Sequence, residues 1–314
     1  MAAISQTSLP VTPSFRENVE YWALRGLVGA IGLLPRSIAR GTGAAIGWVC
    51  WKGLGGLRRT GLRNLKLAFP EKTEEERREI LHKLYIRLGW QMAEFCKMRG
   101  YTLESASKFV RYEGLENYLQ ARDKGKGVLV LTGHLGAWEL SSFYHSLRGY
   151  PMSLVIRRLD NPRVDAFVNG IRCMHGNRVL HKDDFARGLL SAMQRGETVG
   201  ILMDTNMTPP QGVFVPFFGV EACTASGLAR VALKTGAAVL PGFLLWEESE
   251  RRYVLHFGEE LSLVRTEDTQ ADILANTALF TSTIESYVRR YPEQWLWVHR
   301  RWKTRPEGEG SFYK

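Results

Sequence analysis

Cysteine, histidine and long apolar runs are all scarce in this 314-residue chain, and each scarcity excludes something. The four cysteines, Cys50, Cys96, Cys173 and Cys223, stand far apart with no CxxC, so neither a zinc ribbon nor a thioredoxin-like motif is supported. Scattered, unpaired thiols fit a reducing compartment better than an oxidising one. His175 and His181 have no cysteine or carboxylate at a spacing that completes a ligand set, so no metal is expected. His82, His145 and His256 fall on ordinary helix or strand positions. There is no GxSxG elbow, so the nucleophile of any acyl chemistry need not be a protein serine. Helix-turn-helix, RRM and zinc-finger patterns are missing, which leaves charge as the sole motive for nucleic-acid binding; no such partner is expected. Internal repeats and low-complexity segments are also missing.

What is present is the composition of an ordered chain. Hydrophobic residues make up 45% and charged residues 24%, enough for a sizeable core in one large α/β domain or two smaller ones. The formal net charge of +10 suggests an acidic partner: nucleic acid, an anionic membrane surface, or an acidic protein or substrate. By itself it selects none of these. Strand-like segments at 127–132, 152–157 and 198–204, then "AAVLPGFLLW" and "RYVLHF", alternate with helix-like segments at 137–147, 162–174, 184–195 and 270–290. That alternation predicts an α/β fold with a mostly parallel sheet covered on both faces. "GVFVPFFG" reads as an extended loop or short strand, and Thr224 or Ser226 as the cap of a helix running through Lys234. Thr73 with Glu76 forms a capping-box pattern, followed by a helical face of Leu81, Leu84, Leu88, Met92 and Phe95 and a stop at Gly100. Residues 1–13 read as a loose tail.

The N-terminal region is not an ordinary signal peptide, since Glu17 and Glu20 precede its apolar part and no small-residue cleavage site follows. Gly26–Leu34 and Gly41–Trp51 are uncharged and largely apolar, but Pro35, Arg36 and Arg40 divide them. Neither piece reaches the roughly 20 residues needed to span a bilayer. Tyr21, Trp22, Trp48 and Trp51 add interfacial aromatics, with Lys52, Arg58, Arg59, Arg63 and Lys66 close behind. Two readings fit: an embedded or re-entrant helical anchor on a membrane surface, or two Gly-rich helices packed on the rest of the protein.

The stretch "VLVLTGHLGAWEL" carries the chemistry. A buried strand at Val128–Leu131 runs into a glycine-flanked turn bearing His134, and Glu139 falls in the first turn of the next helix. Residues five apart do not share a face of a continuous helix. Across a strand–turn–helix junction, however, the imidazole can fold back toward the carboxylate. Glu139 would then fix the tautomer of His134 and stabilise its imidazolium, leaving His134 as general base toward a substrate hydroxyl. The alternative is a polar helix cap, with His134 bonded to backbone. Asp204 ends another strand, and ligand sites in parallel sheets gather at such ends. Near the C-terminus, "RRYPEQWLWVHRRWKTRPEG" mixes arginines with tryptophans. It suits single-stranded nucleic acid, phosphorylated lipid at an interface, or an ordinary amphipathic terminal element.

Together, "GHLGAWE", "MDTNMTPPQGVFVPFFG", "PEQWLWVHRRWKTRPEG" and "GLRNLKLAFPEKTEEERREI" resemble the lipid A biosynthesis late acyltransferases of bacterial membranes, over about residues 17–309. The resemblance implies transfer of an acyl chain from acyl carrier protein to a hydroxyl of an anionic glycolipid, a lipid A precursor. The expected place is the cytoplasmic face of the inner membrane, with no cofactor. The expected organisation is an N-terminal tail and apolar helical membrane anchor over 1–56, read from the split apolar segment, and a single acyltransferase domain over 57–314. By motif position His134 and Glu139 correspond to the catalytic pair. Arg172 matches an arginine that handles substrate phosphate or acyl group, with Arg163 and Arg178 as rivals, and Asp204 matches the family aspartate. Related enzymes acylate other glycolipids or lysophospholipids from acyl-coenzyme A, and a non-catalytic lipid-binding module of the same fold is a further alternative.

Overall fold

The computed structural model describes residues 13–181 and 185–313. The tail over residues 1–13 lies, but for Pro13, outside them, as does Asp184 of the expected 184–195 helix. Runs of β-branched and aliphatic residues without polar alternation are what a strand buried on both faces requires. Such runs form β2 (Val128–Thr132), β5 (Thr198–Leu202) and β8 (Ala238–Glu247), and with β1 (Val110–Glu113), β3 (Ser153–Ile156), β4 (Arg178–His181) and β9 (Arg252–Phe257), which carry more polar residues, they make one seven-stranded sheet. Their order is β1-β9-β8-β2-β5-β3-β4. Every neighbouring pair is parallel except β8–β9. Along β2, Leu129 and Leu131 point into one core layer while Val128 and Val130 point into the other, as the two-residue period of a strand demands. β6 (Gly212–Phe217) and β7 (Val220–Ala225) form a separate antiparallel hairpin, the strand alternative for "GVFVPFFG".

Six helices, α6 (Leu115–Asp123), α7 (Trp138–Leu147), α8 (Pro162–Arg172), α9 (Phe185–Gln194), α10 (Gly227–Thr235) and α11 (Thr269–Arg290), flank the sheet. Ser226 does not cap α10 with its side chain: its hydroxyl donates to the Gln211 carbonyl, and Thr224 donates to Ala222.

Among the described residues five α-helices precede the sheet: α1 (Phe15–Leu33), α2 (Arg36–Gly53), α3 (Gly55–Ala68), α4 (Glu74–Lys97) and the short α5 (Leu103–Ser107). The Thr73–Glu76 box opens α4, with both reciprocal bonds formed at 3.2 and 2.7 Å. α2 lies along α4 at backbone contact. A Cβ added at Gly43 would sit 2.1 Å from the Gly89 carbonyl oxygen, and one at Gly89 would sit 1.9 Å from that of Gly43. Buried Glu94 on α4 takes the Arg36 guanidinium of α2. Among the described residues no helix is long and apolar enough to cross a membrane. The glycine stripe of α2 is thus explained by close helix packing. Large apolar side chains remain on the outside of both helices: Phe15, Val19, Trp22 and Leu33 on α1, and Trp48 and Val49 on α2.

Candidate active site

β2 and β5 run side by side in register, Thr132 opposite Leu202, so the residues just beyond them leave the same edge of the sheet. These are His134 and Asp204. The Asp204 carboxylate is buried and takes three donors: the His134 backbone N–H at 2.7 Å, His134 Nδ1 at 2.8 Å and Trp295 Nε1 at 2.7 Å. A carboxylate accepting at Nδ1 requires the proton there, which leaves Nε2 with its lone pair. His134 is about a quarter exposed (26%), so the ring is reachable from outside.

Glycines make this approach possible. A Cβ at position 133 would lie 2.9 Å from Asp204 Cγ. Gly136 has φ of 66° and packs on the Leu244 carbonyl, which a Cβ would meet at 2.0 Å. The turn is covered by a segment over residues 292–302. Gly136 N–H donates to Gln294, Leu296 N–H donates to the His134 carbonyl, and Leu135 bridges to Trp295.

Burial alone would lower the His134 pKa. The charge and hydrogen bond of Asp204, with a further contribution from the charge of Glu139, more than offset this and set it above the ordinary imidazole value. Burial would likewise raise Asp204. The charge of His134 and the three donated bonds hold its carboxyl below the usual range.

The His134–Glu139 spacing predicts a direct bond between those two, and the structure corrects this. Glu139 instead accepts from Arg172, at 2.9 Å from Nε and again from Nη2, and the bond to His134 belongs to Asp204. The reason is topological. Adjacent parallel strands bring positions 134 and 204 together, while α7 turns Glu139 toward the end of α8. Arg172 also donates to Asn169 at 3.3 Å, and the pair borders a cavity of about 290 Å³ together with Gln91, Phe95 and Trp138. Of the rivals, Arg163 bonds Asn18 and lies over Tyr21 on α1, and Arg178 pairs with Glu197; neither reaches this cavity.

Met203 and Thr205, the chain neighbours of Asp204, line an apolar pocket of about 500 Å³ together with Ile201, Met207, Leu228 and Val231. His299 stands on the other side, where its Nε2 accepts the Asn206 N–H at 2.9 Å; burial holds its pKa below the ordinary value.

The aromatic–basic mixture near the C-terminus is not one continuous surface. Trp295, Trp297 and Trp302 are core residues. Arg301 is buried too, donating to Cys223 O at 3.0 Å and to Thr224, with burial pushing its pKa down to about 10. Arg300 and Lys303 remain exposed. Trp295 as a partner of Asp204 is the site residue that motif reading missed; its position in "EQWLW" carries no sign of the contact.

The chain matches the family model described as bacterial lipid A biosynthesis acyltransferase over residues 10–304. It is 30% identical over 252 residues to a lipid A biosynthesis palmitoleoyltransferase of Escherichia coli (strain K12), covering 80% of each chain. It is 27% identical over 313 residues to a lipid A biosynthesis lauroyltransferase of the same organism, covering 98% of this chain and 100% of that one. It is 25% identical over 257 residues to a lipid A biosynthesis myristoyltransferase of that organism, covering 82% and 78%.

Proposed function

The chain belongs to the bacterial lipid A biosynthesis acyltransferase family and is an acyltransferase; from that premise we propose that it moves a fatty acyl chain from acyl carrier protein to a hydroxyl of a lipid A precursor, with His134 as general base. The observation that carries the catalytic role is the bond from His134 Nδ1 to buried Asp204, which leaves Nε2 free to accept a proton. In this reading the acceptor hydroxyl gives its proton to Nε2 as its oxygen attacks the thioester carbonyl carbon. An ester C–O bond forms, the C–S bond breaks, and the departing thiolate takes the proton back from the imidazolium. Asp204 stabilises that cation as the acid of a hydrolase triad does. Glu139 contributes its charge from a greater distance and positions Arg172, whose guanidinium we assign to an anionic or developing negative group in the neighbouring cavity. The apolar pocket beside Met203 suits the acyl chain. The relatives are named for three different acyl chains, so the family reading does not fix the chain length here.

The outward apolar side chains of α1 and α2 support seating on a membrane by embedding rather than spanning, and the family reading makes that the cytoplasmic face of the inner membrane. The net charge of +10 supports an acidic carrier as donor, because opposite fields steer association. The deciding experiment presents purified protein with a lipid A precursor and, in parallel, matched low concentrations of acyl carrier protein thioester and of acyl-coenzyme A. Transfer from the carrier should dominate and fall with salt, and His134→Ala should abolish it. Equal use of both donors with the same salt response removes the donor assignment; near-normal turnover in His134→Ala removes the catalytic one.

A further inference from the structure

A groove of about 900 Å³ opens between the start of α3 and the segment that covers the active-site turn. Its charged lining is Arg59, Arg63, Arg300 and Lys303, all exposed. Among the described residues no carboxylate lies within ion-pair distance of any of them, although cations elsewhere are matched: Arg36 with Glu94, Arg111 with Glu250, Arg289 with Glu285. Four like charges around one concavity repel one another unless a counter-charge enters. Gly53 and Gly56 form part of the wall, and nothing stands within 4 Å of where a Cβ would be at either, so bare backbone faces the space.

The groove is rigidly tied to the catalytic end. Buried Asn64 of α3 donates to the carbonyls of Trp297 at 2.6 Å and His299 at 2.7 Å, and it accepts from Tyr313 Oη at 2.6 Å. His299 lines the groove and is bonded to Asn206, two residues past Asp204. Part of the lining is apolar. Leu54 and Leu57 line the groove while remaining 45% and 44% exposed, and Trp48 and Val49 of α2 are exposed nearby in the chain.

We propose that this groove is the site for a phosphate group on the sugar headgroup of the acceptor glycolipid. A concave lining that mixes exposed cations with apolar side chains fits an amphiphile, its phosphate against the cations and its acyl chains against Leu54 and Leu57. Arginine forks suit the tetrahedral oxygens of phosphate. The identity of the ligand rests on the lipid A acceptor reading; the charge complementarity does not.

The test uses the full chain and vesicle binding, so that it stands apart from catalysis. Phosphatidylcholine vesicles carry either lipid A or lipid A stripped of phosphate by a phosphatase. Arg59→Ala/Arg63→Ala and Arg300→Ala/Lys303→Ala each remove two cations from different elements, and either pair suffices if the other fails to fold. Each pair should weaken binding to phosphorylated lipid A by roughly 30-fold, at about 5-fold per basic residue near an anionic surface. On dephosphorylated lipid A the variants should match the wild type, and their affinity for acyl carrier protein should match it as well. Equal weakening on both lipids means the groove reads no phosphate. Lost carrier affinity with lipid binding intact makes it the carrier dock. Either result, or no effect at all, overturns the proposal. His134→Ala should bind lipid A vesicles like the wild type; if it also retains transfer, the catalytic reading fails while the groove result stands.

Discussion

Asp204→Asn separates the roles of the two carboxylates that act on His134, one by a direct bond and one by charge alone. Asp204 takes three donors that converge from His134 N, His134 Nδ1 and Trp295 Nε1. An asparagine there has one oxygen and one amino group, so at least one of those donors must face N–H₂. Each buried donor left unmet costs about 1–3 kcal/mol. If the amino group faces Nδ1, the imidazole must switch tautomer and carry its proton on Nε2, where it cannot act as a base. The same amide substitution in a serine-hydrolase triad lowers kcat about 10⁴-fold, and a loss of roughly 10³–10⁴ is expected here. The pH profile supplies the independent reading. A general base works when neutral, so the acid limb of kcat/KM marks the His134 pKa, which in the wild type lies above the ordinary imidazole value. With the carboxylate gone, burial remains and the limb should move to lower pH. Glu139→Gln, which removes only a more distant charge, should shift the limb far less and act chiefly by freeing Arg172. If Asp204→Asn keeps more than about a tenth of the rate, or Glu139→Gln moves the limb as far, Asp204 does not orient the base.

Gly133→Ala would put a Cβ 2.9 Å from the Asp204 carboxyl carbon, which three donors hold in place, so the turn must yield; transfer should drop about tenfold or more in a steady-state assay, with the fold retained by circular dichroism. Gly89→Ala would collide with the Gly43 carbonyl and part α2 from α4, so thermal melting should fall by the equivalent of at least about 1–3 kcal/mol. Phe15→Ser with Trp22→Ser removes two of the most exposed apolar side chains of α1, and co-sedimentation with vesicles at high salt should decline; unchanged sedimentation would place the membrane contact elsewhere.

Five of the seven strands of the sheet were legible because their signals are local, whereas β1 and β4, four residues each and carrying Arg111, Glu113 and Arg178, show no apolar run and were missed. β2 is an unbroken apolar run, the Thr73–Glu76 box is a four-residue pattern, and α11 is a long helical stretch ending in Arg289 and Arg290. The placement of His134 and Asp204 at strand ends followed from the same signals. Their pairing did not. Strand order is set by how helices pack across two faces, and no spacing records that β2 neighbours β5. The nearby Glu139 therefore looked like the natural partner, while the actual one lies 70 residues on. The buried tryptophans and Arg301 were misread for a related cause: a polar, aromatic composition looks like surface until the partners that satisfy it, the carbonyl of Cys223 and the carboxylate of Asp204, are known.

The segment over residues 292–302 has a bearing on the order in which this protein can be built. It supplies the third bond to Asp204, pairs Trp295 with Leu135 and receives the Gly136 N–H, and all of these fall on residues made long before it. During synthesis β2, β5 and β8 can find one another while the His134 turn still lacks its cover. A chain interrupted before Trp295 would carry every strand of the sheet and both members of the dyad, with Asp204 one donor short and Leu135 open to water. Competence is thus conferred late, by a stretch made after every strand of the sheet, and a nascent chain would hold His134 beside Asp204 before their turn was covered.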